Sequence, residues 1–276
     1  MLQGAAGESA STGSRRAGEA RAGGRPARGA DREVGARFFA HVLAATGGFV
    51  DAVGYIALFH LFTAHESGNS AGLGVALSGG DWTTAWRRGT AIGAYVIGVG
   101  VGTALVEQCR RRRPRWSGTV LAVAEVSALA VALGIGQAVA PGGVLLPADS
   151  GPYAAVAALL SGAMALQAVM LRRVRGRMVR TTFVTGILTN MAETFVVAWH
   201  TAGSAHRRHL LRFSRLLGSV WTAYLAGAVA GAGAERAWSF DALAVPLAAV
   251  AAVGAWYARV GYEPSLPNEG LPDEVE

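Results

Sequence analysis

Seven stretches of this chain, residues 38–62, 90–106, 116–139, 153–171, 183–199, 216–234 and 242–257, are almost uninterruptedly apolar, and residues 69–79 form a weaker eighth. A bilayer core about 30 Å thick takes roughly 20 apolar residues in a helix to cross, and these runs come near that length with few or no charges. The chain is 52% hydrophobic and only 16% charged, and its apolar residues run together without amphipathic spacing, which excludes an ordinary soluble domain. The expected fold class is therefore all-α, a polytopic transmembrane helical bundle of six to eight membrane segments.

The flanks read differently. Residues 1–36 are rich in Gly, Ala, Arg and Ser and lack the bulk to offset ordering entropy, so they are expected to form a disordered basic tail. Residues 263–276, acidic and carrying Pro264, Pro267 and Pro272, are expected to form a second, solvated tail. Between them lies a transmembrane domain, residues 37–262. The first apolar run begins too late and is too long for a secretory signal. One cysteine, Cys109, excludes an internal disulfide framework and multi-cysteine metal sites. All 25 basic residues are arginine, giving a net charge of +7. The arginines flank apolar spans, which is the layout of a topology signal and not of a nucleic-acid surface.

An internal repeat organises the domain into halves 37–140 and 151–262. Ala94, Tyr95, Gly98 and Gly102 recur as Ala223, Tyr224, Gly227 and Gly231 with identical spacing. Upstream, the polar segment from Thr63 to Gly68 corresponds to that from Thr181 to Gly186, and Gly48 to Ala52 corresponds to Met164 to Ala168. If every segment crosses, Arg110 to Arg113 and the cluster from Arg172 to Arg180 fall outside, against the positive-inside rule. If segments 63–79 and 181–199 instead enter and return as short broken segments, both clusters fall inside. Six full spans remain, the halves become an inverted repeat of the kind secondary transporters use, and both termini are cytoplasmic. An eight-span arrangement with parallel repeats is the alternative.

Polar residues inside these runs are the candidates for chemistry. Asp51 sits mid-run, where an unpaired carboxylate costs a few kcal/mol, so it needs a partner, a proton or a solute. The readings are a proton or substrate contact and, against it, a hydrogen bond that only fixes helix packing. His65, Glu66, Ser67, Gly68 and Asn69 follow one another where an apolar stretch should begin, and cannot face lipid. In the second half Thr181, Thr182, Thr185, Gly186 and Asn190 offer hydroxyl and amide groups, while Gln167 stands where Asp51 stands in the first. Glu125 and Glu193 are further acids in apolar runs. His206 and His209 lack a second ligand pair, so no metal site is expected, nor any cofactor; no nucleophile elbow, Walker loop or zinc-protease motif is present, so no enzyme is expected.

The segment GGFVDAVGYIALFHLFTAHESGN, residues 47–69, with GAMALQAV and TTFVTGILT in the second half, resembles the YoaK-type family of bacterial integral membrane proteins. That family carries Gly-x-x-Asp-Ala, then His-x-Thr-Gly-Asn, then a later Gln and Thr-Thr-x-x-Thr-Gly. Here Ser67 replaces the usual Thr, keeping the hydroxyl, and Glu66 adds a charge. The resemblance, over roughly residues 38–260, implies membrane location and fold and leaves the substrate blank.

The expected function is a permease or channel in the bacterial cytoplasmic (inner) membrane, passing a small polar solute through a central site. Its partners would be the lipid bilayer, that solute or a proton, and a second copy of the chain, with no nucleic acid. The alternative is a membrane scaffold or assembly protein whose polar residues only pack helices.

Overall fold

The structure, a computed structural model, describes residues 25–139, 150–170, 173–174, 177–178 and 184–264. Residues 1–24 of the expected N-terminal tail, most of the expected C-terminal tail, and Thr181 and Thr182 lie outside the described residues. The chain divides into units Met1–Phe38 and Phe39–Glu276, and all that follows concerns the second.

The architecture is helical: α1 (Arg25–Ala57), α2 (Glu66–Ser78), α3 (Trp82–Arg112), α4 (Ser117–Val139), α5 (Gly151–Met170), α6 (Val184–His200), α7 (Ser204–Trp238) and α8 (Ala244–Val260). Helix α1 thus begins within the stretch read as a tail, where Ala and Arg are good helix formers. An antiparallel ladder of two-residue strands, Arg173–Val174 and Arg177–Met178, follows α5. Short 3₁₀ turns join α3 to α4 and α7 to α8.

Among the described residues, five continuous stretches are long and apolar enough to cross a membrane: Arg37–Ala57, Trp82–Arg112, Pro114–Val139, Gly151–Met170 and Ser204–Val260. The last holds both α7 and α8 and breaks at Ser239, whose φ of 51° is left-handed. Helices α2 and α6, with 13 and 17 residues, rise about 20 and 26 Å, short of the roughly 30 Å hydrocarbon core. The surface fits lipid. Val96, Ile97, Val101, Val123, Phe195 and Val229 all point outward, and the tryptophans at helix ends (Trp82, Trp86, Trp199, Trp238) are exposed, as in an interfacial aromatic belt. The chain is a multi-pass membrane protein.

Where no hydrophobic effect drives helices together, close backbone approach does. Helix α7 lies on α1 through bare glycines: a Cβ at Gly227 would come 2.0 Å from the Ala45 carbonyl oxygen, and one at Gly231 2.5 Å from that of Phe49. From the α1 side, a Cβ at Gly48 would come 2.0 Å from the Tyr224 carbonyl oxygen. Helix α3 meets α5 in the same manner, Gly98 against Ala165 and Gly162, and Gly102 against Leu166 and Val169. Helices α1 and α5 are the most deeply buried of the spans. They carry Asp51 and Gln167.

Gly48→Ala is expected to lower stability by about 3 kcal/mol or more, because the obstructing atoms are backbone and cannot rotate away. Gly93→Ala, where nothing lies within 4 Å, should stay within about 1 kcal/mol of the parent. Thermal unfolding of both variants in detergent checks this pair.

Candidate functional site

Helix α1 ends abruptly. Phe59 and His60 adopt left-handed φ of 54° and 62°, and the chain then runs without regular structure to His65, where α2 begins. Each such residue costs about 1–2 kcal/mol, so the surroundings must hold the break open. The Tyr153 hydroxyl donates to the Leu58 carbonyl at 2.8 Å, and the Arg87 guanidinium stacks over the Phe59 ring at 4.8 Å and lies 5.5 Å from the Tyr153 ring. Tyr55 meets the His60 ring edge-on at 4.8 Å and packs on Phe62 at 4.9 Å.

Asp51, 2% exposed on α1, gathers the unwound chain around its carboxylate. Oδ1 accepts from the Thr63 amide at 2.8 Å, the Thr63 hydroxyl at 2.9 Å and the Ala64 amide at 2.8 Å. Oδ2 accepts from His65 Nδ1 at 2.5 Å and from the Tyr224 hydroxyl at 2.7 Å, and that hydroxyl is itself 3.3 Å from Nδ1. Five donors thus converge on one carboxylate. On the other side of the loop, fully buried Asn69 donates to the Phe62 carbonyl at 2.7 Å and accepts from the Phe62 amide at 3.2 Å. Its amide also reaches Glu66 Oε2 at 3.1 Å. The loop is clamped from both ends by side chains that replace the missing helical hydrogen bonds.

The open end of this cluster is His65 and Glu66. The His65 side chain is 22% exposed, and Glu66 is half-buried with Oε1 lacking a partner. Burial alone would lower the His65 value, but the hydrogen bond to Asp51 and that residue's charge, with Glu66 beside it, shift it upward overall. Burial pushes the Glu66 carboxyl up to about 7, against the opposing bond from Asn69. Arg88 borders the cluster: its Nη1 is 3.4 Å from the Gly68 carbonyl, and its guanidinium lies on the bare backbone of Gly72.

Of the residues singled out in the sequence, Asp51, His65, Glu66 and Asn69 are brought into one network. Ser67 is exposed, and Gly68 leaves room for the Phe62 ring. Gln167 is fully buried on α5 and donates to the Leu43 carbonyl of α1 at 2.8 Å, leaving its own Oε1 unpartnered. Thr185, Asn190 and Glu193 lie exposed on α6 and Gly186 is half-buried there; no bond among the described residues links them to the Asp51 network. Glu125 is buried on α4. Sequence reasoning missed Thr63, Tyr224 and Tyr153 as functional partners. Tyr224 was visible as a repeat marker, yet nothing in its spacing shows that it bonds to a carboxylate 173 positions away. Among the described residues no three His, Cys, Asp or Glu side chains group as a metal site.

Comparison with known proteins agrees with this picture. Residues 39–256 match the family described as "Protein of unknown function (DUF1275)". The chain belongs to this family. It is also 37% identical over 65 residues to the "UPF0700 transmembrane protein YoaK" of Bacillus subtilis (strain 168), a stretch covering 24% of this chain and 29% of that relative. No solved structure matches. The motif residues from Gly48 to Asn69 that suggested a YoaK-type protein lie within the matched range, and three of them, Asp51, His65 and Asn69, take part in the clamp.

A pH response follows from the two titrating groups. The folded state raises Glu66 from 4.5 to about 7, so it binds the proton more tightly than the unfolded chain and stability falls as pH rises across that interval. The raised His65 contributes stability that is complete below 6.5 and lost as pH climbs through its folded value. Both effects have one sign. Unfolding temperature in detergent should therefore decline from about pH 5 to about pH 8, and Glu66→Gln should flatten the lower half of that decline.

Proposed function

We propose that this protein is an inner-membrane permease or channel for a small polar solute. The observation that carries the reading is the unwound segment between α1 and α2, clamped by Asp51 and Asn69 and opening on His65 and Glu66. Non-helical backbone at such a place is tolerated where it is buried in protein or lines a polar path, and transporters use it to contact solutes. On this reading His65, Glu66 and Tyr224 touch the solute, while Asp51 and Asn69 shape the turn.

The two halves support an inverted repeat. The Gly227 and Gly231 helix packs on the Asp51 helix, and the Gly98 and Gly102 helix packs on the Gln167 helix, so each half lends its glycine face to the other half's central helix. With α2 and α6 entering and returning on one side, both termini are cytoplasmic, and the Arg110 to Arg113 cluster faces the cytoplasm as the positive-inside rule requires. The bilayer is the surrounding partner, and the solute or a proton the cargo.

One observation favours the scaffold reading: both Asp51 oxygens are fully engaged within the protein, as in a residue that only fixes packing. Flux separates the two. Proteoliposomes holding the purified protein should swell faster than empty liposomes in at least one of a panel of small polyols, amides and amino acids. His65→Ala should slow that swelling by tenfold or more, with only a modest fall in unfolding temperature from the loss of one donor to Asp51. Asp51→Ala should lose about 3 kcal/mol or more of stability, since it leaves five donors without their charged acceptor. Swelling no faster than empty liposomes across the panel would favour the scaffold.

A further inference from the structure

The Asp51 carboxylate is saturated with donors; that of Glu125 has none. Glu125 is 0% exposed in the middle of α4, and neither Oε1 nor Oε2 meets a hydrogen-bond partner. It lies on the face of α4 that packs on α8 and α5, in line with Gly118, Ala122, Leu129, Ala132 and Gly136. Around it the contact is tight: Gly118 lies under Tyr257 and Tyr262, Ala122 touches Gly254, and Gly136 is covered by the Phe240 ring.

The charged and titratable groups of the packed elements are few. From α8 comes the buried Tyr257, whose hydroxyl has no partner. Tyr262 stacks on Tyr257 at 4.3 Å. From α5 come the uncharged, buried Ser161 and Gln167, each with an unpartnered oxygen, while Tyr153 is committed to Leu58. Asp241, in the turn before α8, is tied to Gln137, about 18 Å further along α4 than Glu125. Arg115 sits over Trp116, about 15 Å away in the other direction. On α3, Glu107 pairs with Arg110 and Arg111 near the turn into α4.

We propose that Glu125 is a proton-binding site set into the contact between the last helices of the two halves. An ionised carboxylate at this depth with no donor costs several kcal/mol, and a bound proton removes the charge without needing a cation at all. A metal ion would need several more oxygen ligands than Tyr257 can add. The proton exchanges with water only when α4 and α8 part, because no solvent reaches the group in the closed packing. This site stands on the burial of one side chain and does not depend on the permease reading.

The test uses the full chain in lipid vesicles with two carbodiimides, which add to a carboxylic acid across the C=N bond and take up its proton. Dicyclohexylcarbodiimide, which partitions into the apolar interior, should modify Glu125 at about pH 6.5, as read by peptide mass. A water-soluble carbodiimide should leave it untouched. Infrared difference spectra between parent and Glu125→Gln should show the carbonyl stretch of a protonated carboxyl in the parent, a readout that needs no reaction. An unmodified Glu125 together with a carboxylate band would overturn the proposal. So would modification equally rapid with the water-soluble reagent.

Discussion

A single buried carboxylate holds the first half of this protein in shape. A helix that stops inside a membrane protein leaves amide donors without carbonyls, and in the absence of water each is costly. Asp51 meets that cost by turning two acceptors toward five donors, and four of these come from the break itself. The left-handed Phe59 and His60, the capped Leu58 carbonyl and the Asn69 bridge to Phe62 all depend on the loop lying where that carboxylate can reach it.

The Asp51 anchor in turn depends on the glycines. Tyr224 reaches Oδ2 only because Gly48 lets the α7 backbone settle onto α1, and Gly227 and Gly231 return the arrangement from the other helix. Packing without side chains thus positions the Tyr224 hydroxyl, which reaches from α7 to the Asp51 carboxylate on α1. The corresponding contact of α3 with α5 uses the same small-residue pattern, while the polar groups differ, with Gln167 holding a single backbone carbonyl of α1. The halves share a way of packing and differ in chemistry.

Two acids buried in apolar surroundings came out in different roles. Asp51 and Glu125 look alike in sequence, each a lone carboxylate in an apolar run. The fold surrounds one with amides, a hydroxyl, an imidazole and a phenol, and gives neither oxygen of the other a hydrogen-bond partner. That contrast comes from the neighbours each meets, and no local pattern distinguishes them.

Much was nevertheless written in the chain. Apolar runs of about 20 residues determine a helical membrane bundle, because backbone polar groups in hydrocarbon must be satisfied within the segment. The run from His65 to Asn69 cannot face lipid, yet the break itself falls just before it, from Phe59 onward and partly inside the apolar run 38–62, and Glu66 to Asn69 already belong to α2. The spacing of Gly98 and Gly102, and of Gly227 and Gly231, foretold close helix contacts. Tertiary structure alone decided the partners: that Thr63, Ala64, His65 and Tyr224 meet on Asp51, that the exposed α6 carries Thr185, Asn190 and Glu193 away from them, and that Glu125 meets no donor. Sequence records which groups must be satisfied, and only the packing of distant helices determines which groups satisfy them.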